Sequence, residues 1–281
     1  MNLLMCRINM ENPNQFNLPI LKEPAAIETL ESKKLKWNIS LIESHSIISK
    51  TGISCFDYVI NCYSGCCFGC LHCYASFMKK FTGHKEKWGD FVDVKVNAVE
   101  LLKKELRKIN KGKVFLSSVT DPYLPLEAKF KLTRGVLQCF IDTDFEINIL
   151  TRSPLVTRDI DIFKKLKNVQ VGLSIPTDRE DVRKIFEPNA TPISARIKAL
   201  GKLKEEGINT YAFIAPLIPL SPENLAKLLD PITDYVMLDS LNYAWKVSDI
   251  IRKHGFEYIL DPTWIREVGE KFQKMLGGKF S

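Results

Sequence analysis

From residue 95 onward the chain switches repeatedly between two hydrophobic periods. Residues 95–109 place Val96, Val99, Leu102, Leu106 and Ile109 on one helical face, and the short apolar run K-G-K-V-F-L-S-S at 111–118 then reads as a buried strand. The same exchange recurs along the chain: helix 131–142, strand 146–151, helix 157–167, strand 169–175, helix 192–206 closed by Gly207, strand 210–215, helix 222–229, strand 235–239, helix 242–254 ended by Gly255, and a short strand 256–260. Before them, F-D-Y-V-I-N at 56–61 is rich in aromatic and β-branched residues and reads as the first strand, with a cysteine-rich loop at its C-terminal end. Residues 74–80 read as a helical turn. Strands that alternate with helices predict a parallel sheet with helices packed outside it, so the fold class is α/β, and six or seven such units suit an open, partial (β/α)6-type barrel.

The ends of the chain read differently. Residues 1–50 contain Pro13, Pro19 and Pro24 and have no strong period before 36–42; they are expected to form an N-terminal extension to a core at 51–260. Residues 261–281 are expected to close the chain with an amphipathic helix over 263–276 whose apolar stripe is Trp264, Val268, Phe272 and Leu276.

With 281 residues and 45% hydrophobic content, the chain can bury a full core. No window approaches the eighteen consecutive apolar residues of a membrane span, and M-N-L-L-M-C-R-I-N-M lacks the build of a secretory signal, so a cytoplasmic protein with no membrane partner is expected. The net charge of +7 permits a polyanionic partner without requiring one, because Lys-rich stretches such as E-L-L-K-K-E-L-R-K at 100–108 equally suit solvated helix faces.

Cysteine usage changes the picture. Five of the eight cysteines lie between Cys62 and Cys73, and within N-C-Y-S-G-C-C-F-G-C-L-H-C-Y-A, residues Cys66, Cys70 and Cys73 form C-x3-C-x2-C. Such crowding does not resemble a spread disulfide framework and fits a reducing compartment. Three thiolates on one loop can hold three corners of a cubane iron–sulfur cluster and leave the fourth iron open for chemistry. A structural zinc is the competing use of these thiols, but such sites pair two knuckles and no second knuckle follows. Cys62 and Cys67 fall outside the pattern and are read as non-ligands. In βα barrels the active site gathers at the C-terminal ends of the strands, which directs attention to S-S-V-T-D-P-Y-L-P-L-E at 117–127, to Thr151-Arg152 and to Ser174. An arginine at such a place can grip a carboxylate, and hydroxyls can meet an amino group.

The cysteine spacing resembles the radical S-adenosylmethionine (SAM) superfamily, with His72 at the position before the third cysteine that is usually aromatic. T-D-P-Y-L-P-L-E, L-T-R-S-P-L-V-T-R-D-I-D, F-E-P-N-A-T-P-I-S-A-R-I and I-A-P-L-I-P follow in order, and together they resemble the branch that includes spore photoproduct lyase and DNA repair photolyase-like proteins, over roughly residues 45–220. The resemblance implies a radical SAM enzyme, of lyase or transferase type, in which Cys66, Cys70 and Cys73 bind a [4Fe-4S] cluster. An electron donor such as ferredoxin or flavodoxin would reduce the cluster, SAM would be cleaved to a 5′-deoxyadenosyl radical, and that radical would abstract hydrogen from a substrate, either nucleic acid or a small molecule. It further implies that Arg152 and Ser174 contact the SAM carboxylate, that Ser117, Ser118 and Thr120 meet its amino group, and that Tyr74 shields the adenine side. One departure is evident: spore photoproduct lyase carries a hydrogen-donating cysteine at the second strand end, where this chain has Ser118 or Val119. An O–H bond is too strong for that task, which places the chain in the broader branch. Tyr63, Tyr123, Tyr211 and Cys139 are candidates for a radical relay, each equally readable as packed core. A zinc-stabilised nucleic-acid-binding module without catalysis is the alternative.

Overall fold

The structure, a computed structural model, describes residues 28–29 and 37–281. Most of the expected N-terminal extension therefore lies outside the described residues. Eleven described strands follow one another as β1 Glu28–Thr29, β2 Asn38–Ile42, β3 Ile48–Lys50, β4 Tyr58–Ile60, β5 Tyr63–Gly65, β6 Phe91–Lys95, β7 Lys111–Leu116, β8 Asp144–Thr151, β9 Asn168–Ser174, β10 Asn209–Ile214 and β11 Tyr235–Leu238. They divide between two compact units. The first takes the chain up to Cys67, Ala75–Ile149 and Arg158–Val169, and the second takes Phe68–Tyr74, Leu150–Thr157 and Gln170–Ser281.

In the first unit β4, β7 and β8 pair in parallel, with Ile60 opposite Leu116 and Leu116 opposite Ile149, while β3 runs antiparallel on β4. These strands carry V-I, V-F-L and I-N-I-L, and along β8 burial alternates, with Phe145, Ile147, Ile149 and Thr151 buried and the residues between them more exposed. The second unit pairs β9, β10 and β11 in parallel. Here Gly172 on β9 makes room for the ring of Tyr211: a Cβ at that glycine would lie 2.3 Å from the ring, which stacks on Tyr235 at 4.9 Å. Helix Pro262–Leu276 begins where Asp261 accepts a hydrogen bond from Thr263 N at 2.7 Å and Pro262 occupies the first turn, and it buries Val268, Phe272 and Leu276 as the stripe predicts. None of the described helices is long and apolar enough to cross a membrane.

The α/β alternation is the one expected, with three corrections. Residues 257–260 form a 3-10 helix rather than a strand, because Phe256 and Ile259, three apart, turn toward a core of Val182, Phe186, Ile218 and Ile251. The expected helix 242–254 contracts to a 3-10 turn at Ala244–Lys246 and a helix at Ser248–Lys253. The strand expected at 56–61 shortens to β4, and a further strand that was not expected, β5, is the one that delivers the cysteine loop.

β5 belongs to a second sheet, ordered β1-β2-β6-β5, which the periodicity does not announce. Its strand F-V-D-V-K carries an acid in the middle, and that acid is buried and paired: His84 Nε2 lies 2.9 Å from Asp93 Oδ1, and Nδ1 lies 3.1 Å from Glu86 Oε2. The imidazole also stacks on Phe91 with centroids 3.9 Å apart. Burial pulls the His84 pKa down, and the hydrogen bonds and charges of Asp93 and Glu86 more than reverse that, leaving it raised. Protonated His84 gains partners that the unfolded chain lacks. Its contribution to stability is therefore complete below the unfolded pKa of about 6.5 and is lost as pH rises through the higher folded value. Urea unfolding of His84→Gln and the parent should differ most at pH 6 and converge at pH 9; a difference independent of pH would contradict this assignment.

Candidate active site

The cysteine loop leaves β5 at Gly65, whose φ of 79° lies in the left-handed region. A Cβ there would lie 2.5 Å from the carbonyl oxygen of Phe91 and 2.7 Å from its ring, so the approach of β5 to β6 just before Cys66 requires glycine. Cys66, Cys67 and Cys70 are buried and Cys73 is half-buried, all outside any disulfide. The loop then turns, with Cys73 N donating to Cys70 O at 3.1 Å, and it is pinned where Leu71 N donates to Phe186 O at 3.0 Å.

The charges around the thiols separate them. Burial pushes Cys62 and Cys67 up to about 12, and the leading charged neighbour of each is a carboxylate, Glu127 for Cys62 and Asp121 for Cys67, which pushes the same way. Burial raises Cys70 as well, but there the leading charged neighbour is Arg152, which pulls it down. A thiolate is favoured beside a guanidinium and disfavoured beside a carboxylate.

Arg152 leads to a residue that the sequence reading left without a role. Its Nε donates to Glu187 Oε1 at 2.7 Å, and Arg196 Nη2 stands 2.7 Å from Glu187 Oε2. Glu187 and Arg196 are both 0% exposed. Burial raises the Glu187 carboxyl pKa and the two arginines overcome that, holding it well below the usual carboxylate range. His72 Nε2 lies 3.9 Å from Glu187 Oε1, with both ring nitrogens buried and without a hydrogen-bond partner; burial lowers its pKa to about 4, so the ring is neutral. Cys70 Sγ, a His72 nitrogen and a Glu187 oxygen lie within 4.8 Å of one another. Two guanidiniums already claim that carboxylate, so the trio belongs to a charge network and does not read as a cation site. Glu187 and Arg196 sit in F-E-P-N-A-T-P-I-S-A-R-I. Their spacing across a helix start was visible, but nothing in it announced that both would be buried.

Ser174, at the end of β9, joins the same network. Its carbonyl accepts from Arg196 Nη1 at 2.9 Å, and its hydroxyl donates to Ala215 O at 3.3 Å. Cys70, Cys73, Tyr74, Arg152 and Ser174 thus all lie in the second unit. Tyr74 stacks on Tyr243 with centroids 6.3 Å apart, in the loop that follows β11. Two residues on, Trp245 is 72% exposed, with Lys246 Nζ 5.1 Å from its ring centroid.

In the first unit, the end of β7 carries the expected hydroxyls. Ser117 adopts φ 67°, a left-handed conformation that a non-glycine residue keeps only when its surroundings hold it, and its N–H donates to Ile60 O at 2.8 Å. Asn61 braces the turn, donating to Ser118 Oγ at 3.4 Å and accepting from Val119 N at 3.1 Å. Thr120 Oγ1 donates to Gly65 O at 2.5 Å. Among the relay candidates, Tyr63 donates to Glu127 Oε2 at 2.5 Å, Tyr211 is the ring stacked on Tyr235, and Cys139 Sγ meets Gly135 O at 3.3 Å. These three are tied into packing.

Comparison with known proteins adds to this geometry. A family model described as the Radical SAM superfamily matches residues 60–232. An uncharacterised protein of Methanocaldococcus jannaschii is 42% identical over 209 residues, covering 74% of this chain and 79% of that protein. A radical SAM Nα-GlyT isomerase of Pseudomonas phage M6 is 26% identical over 204 residues, 68% of this chain and 41% of that one. Among solved structures, a mutant spore photoproduct lyase with bound AdoMet and dinucleoside spore photoproduct covers 86% of this chain and 80% of its own, at TM-score 0.61 and 14% identity, a likeness of fold.

Because the obstruction at Gly65 is backbone as well as ring, Gly65→Ala is expected to cost about 1–3 kcal/mol. Denaturant unfolding measures that loss, and an unchanged midpoint would show that β5 and β6 can separate freely.

Proposed function

The chain belongs to the radical SAM superfamily, and from that premise we propose that it is an enzyme using a [4Fe-4S] cluster on Cys66, Cys70 and Cys73 to cleave SAM and start hydrogen abstraction on a base-bearing, anionic substrate. Family membership implies SAM and an iron–sulfur cluster, together with a reductant; a ferredoxin or flavodoxin suits that last part. The chemistry so supplied is one-electron cleavage of the SAM sulfonium to methionine and a 5′-deoxyadenosyl radical.

The residues present fit such a group. The observation that carries the reading is the charge placed at the thiols: within one short loop Cys70 has a guanidinium as its leading charged neighbour, while the neighbouring non-pattern cysteines Cys62 and Cys67 face carboxylates. Burial raises all three thiols, and only at Cys70 does the leading charged neighbour oppose that rise, so a metal-bound thiolate has a positive partner there and a carboxylate beside it at the other two. Arg152, fixed through Nε by Glu187, is the residue to hold the SAM carboxylate. Ser174 spends its proton on Ala215 O and would have to turn to donate to that carboxylate, so its part there is secondary. Thr120 spends its proton on Gly65 O, which leaves its oxygen lone pairs to accept from an ammonium, in keeping with a place near the amino group beside Ser117 and Ser118. Tyr74, seated on Tyr243, shields the adenine side.

The substrate class follows from the loop after β11. An exposed indole with an ammonium against it, two residues beyond the Tyr243 ring that packs on Tyr74, suits a stacked base and its phosphate. The net charge of +7 agrees with an anionic partner.

Two outcomes test the proposal. Replacing Cys66, Cys70 or Cys73 singly with serine should abolish both iron uptake and 5′-deoxyadenosine release under anaerobic reconstitution, whereas Cys67→Ser should keep both; a Cys70→Ser protein that still cleaves SAM would refute the ligand set. Trp245→Ala should weaken binding of a single-stranded oligonucleotide by about 1–3 kcal/mol, read as lost fluorescence quenching, with wild-type affinity steepening as salt is lowered. Equal affinity in the variant would remove the base-bearing substrate.

A further inference from the structure

Glu187 gathers three separate stretches of chain onto one buried carboxylate. The cysteine loop reaches it through His72 and through the Leu71 N–H bonded to Phe186 O at 3.0 Å. The end of β8 reaches it through Arg152 Nε at 2.7 Å. Helix Ile193–Glu205 reaches it through Arg196 Nη2 at 2.7 Å. The second partner then ties the group together: Arg196 Nη1 donates to Ser174 O at 2.9 Å, Arg196 Nε donates to Thr191 O at 3.0 Å, and the Thr191 hydroxyl donates to Arg152 O. The circuit therefore runs from the Arg152 side chain through Glu187, Arg196 and Thr191 back to the Arg152 main chain, with Ser174 held on a branch.

We propose that Glu187 and Arg196 form a positioning pair that sets Arg152 and Ser174 in place relative to Cys70, so that the SAM carboxylate is met by an arginine whose orientation is already decided. This inference rests on the cluster and SAM reading given above. Neither residue need touch SAM. Their effect passes through Arg152, which left to itself is a long side chain with many rotamers to lose on binding. The pair also sets the local charge. Two guanidiniums and one carboxylate leave a single net positive charge beside Cys70, and an electron added to a thiolate-bound cluster is favoured by positive charge nearby.

Position and charge can be pulled apart by two variants. Glu187→Met removes the anchor of Arg152 and leaves two positive charges. Glu187→Met combined with Arg196→Met removes the same anchor and restores one positive charge. Anaerobically reconstituted wild type and both variants are compared for SAM dissociation constant by equilibrium dialysis and for cluster midpoint potential by EPR-monitored redox titration, after circular dichroism confirms folding. SAM affinity should fall about tenfold or more in both variants, the loss expected for a charged hydrogen bond no longer held in line. The potential should move positive in the single variant and return toward wild type in the double variant. Wild-type SAM affinity in either folded variant overturns the proposal, as does a potential that ignores the charge count. If neither variant folds, Glu187→Asp keeps the charge and shortens the reach: weaker SAM binding at an unshifted potential supports positioning, and unaltered binding overturns it. A wild-type protein that binds no SAM sinks both readings together, whereas wild-type binding that the variants leave intact sinks only this one.

Discussion

A carboxylate with no solvent exposure must find positive partners or give up its charge, and Glu187 has found two. Removing one member of a buried ionic group of this kind costs on the order of 3–5 kcal/mol, because the others are then left charged and unpaired. That constraint explains why so many independent pieces of backbone meet there. The carbonyls of Thr191 and Ser174 accept from Arg196 Nε and Nη1, and the Phe186 carbonyl receives the cysteine loop. Once Glu187 is buried, the placement of Arg152 and the loop's docking follow from the need to satisfy it.

The first unit repeats this solution with different residues. Glu127, also without exposure, accepts from the Tyr63 hydroxyl, from Thr133 N at 3.0 Å, from Arg134 N at 3.2 Å and from Arg158 Nη2 at 2.7 Å. Tyr63 lies on β5, so the strand that delivers the cysteine loop is itself fastened to a buried acid. Arg158 is shared with Asp159, which Arg134 also meets at 2.7 Å. These polar cores give directional fastening where apolar packing alone would leave register open.

Much of this was legible beforehand, for identifiable reasons. Helices with a clear apolar stripe, such as Pro222–Leu229 and Pro262–Leu276, lie where the period puts them, because periodicity reports directly which face is buried. The cysteine pattern needed no fold at all to be read. β6 escaped because Asp93 breaks its apolar run, and only a partner outside the strand, His84, makes that acid acceptable inside a sheet. The strand expected at 256–260 failed because a short apolar run does not say whether a sheet edge or a core will receive it. Glu187 and Arg196 escaped for a related reason: charged residues near a helix start read as solvent-facing, and burial of an ion pair is decided by tertiary neighbours.

The two thiols outside the C-x3-C-x2-C pattern carry a consequence of their own. Cys62 and Cys67 are sealed from solvent and hold their protons at neutral pH, so neither is a ready nucleophile toward oxidised neighbours. Were an iron–sulfur cluster lost from this loop, these sulfurs would therefore stay out of mispaired bridges, and damage of that kind should begin at the half-buried Cys73 or Cys139 instead. Recovery after exposure to oxygen then becomes a matter of reducing a few accessible sulfurs rather than refolding the loop that carries them.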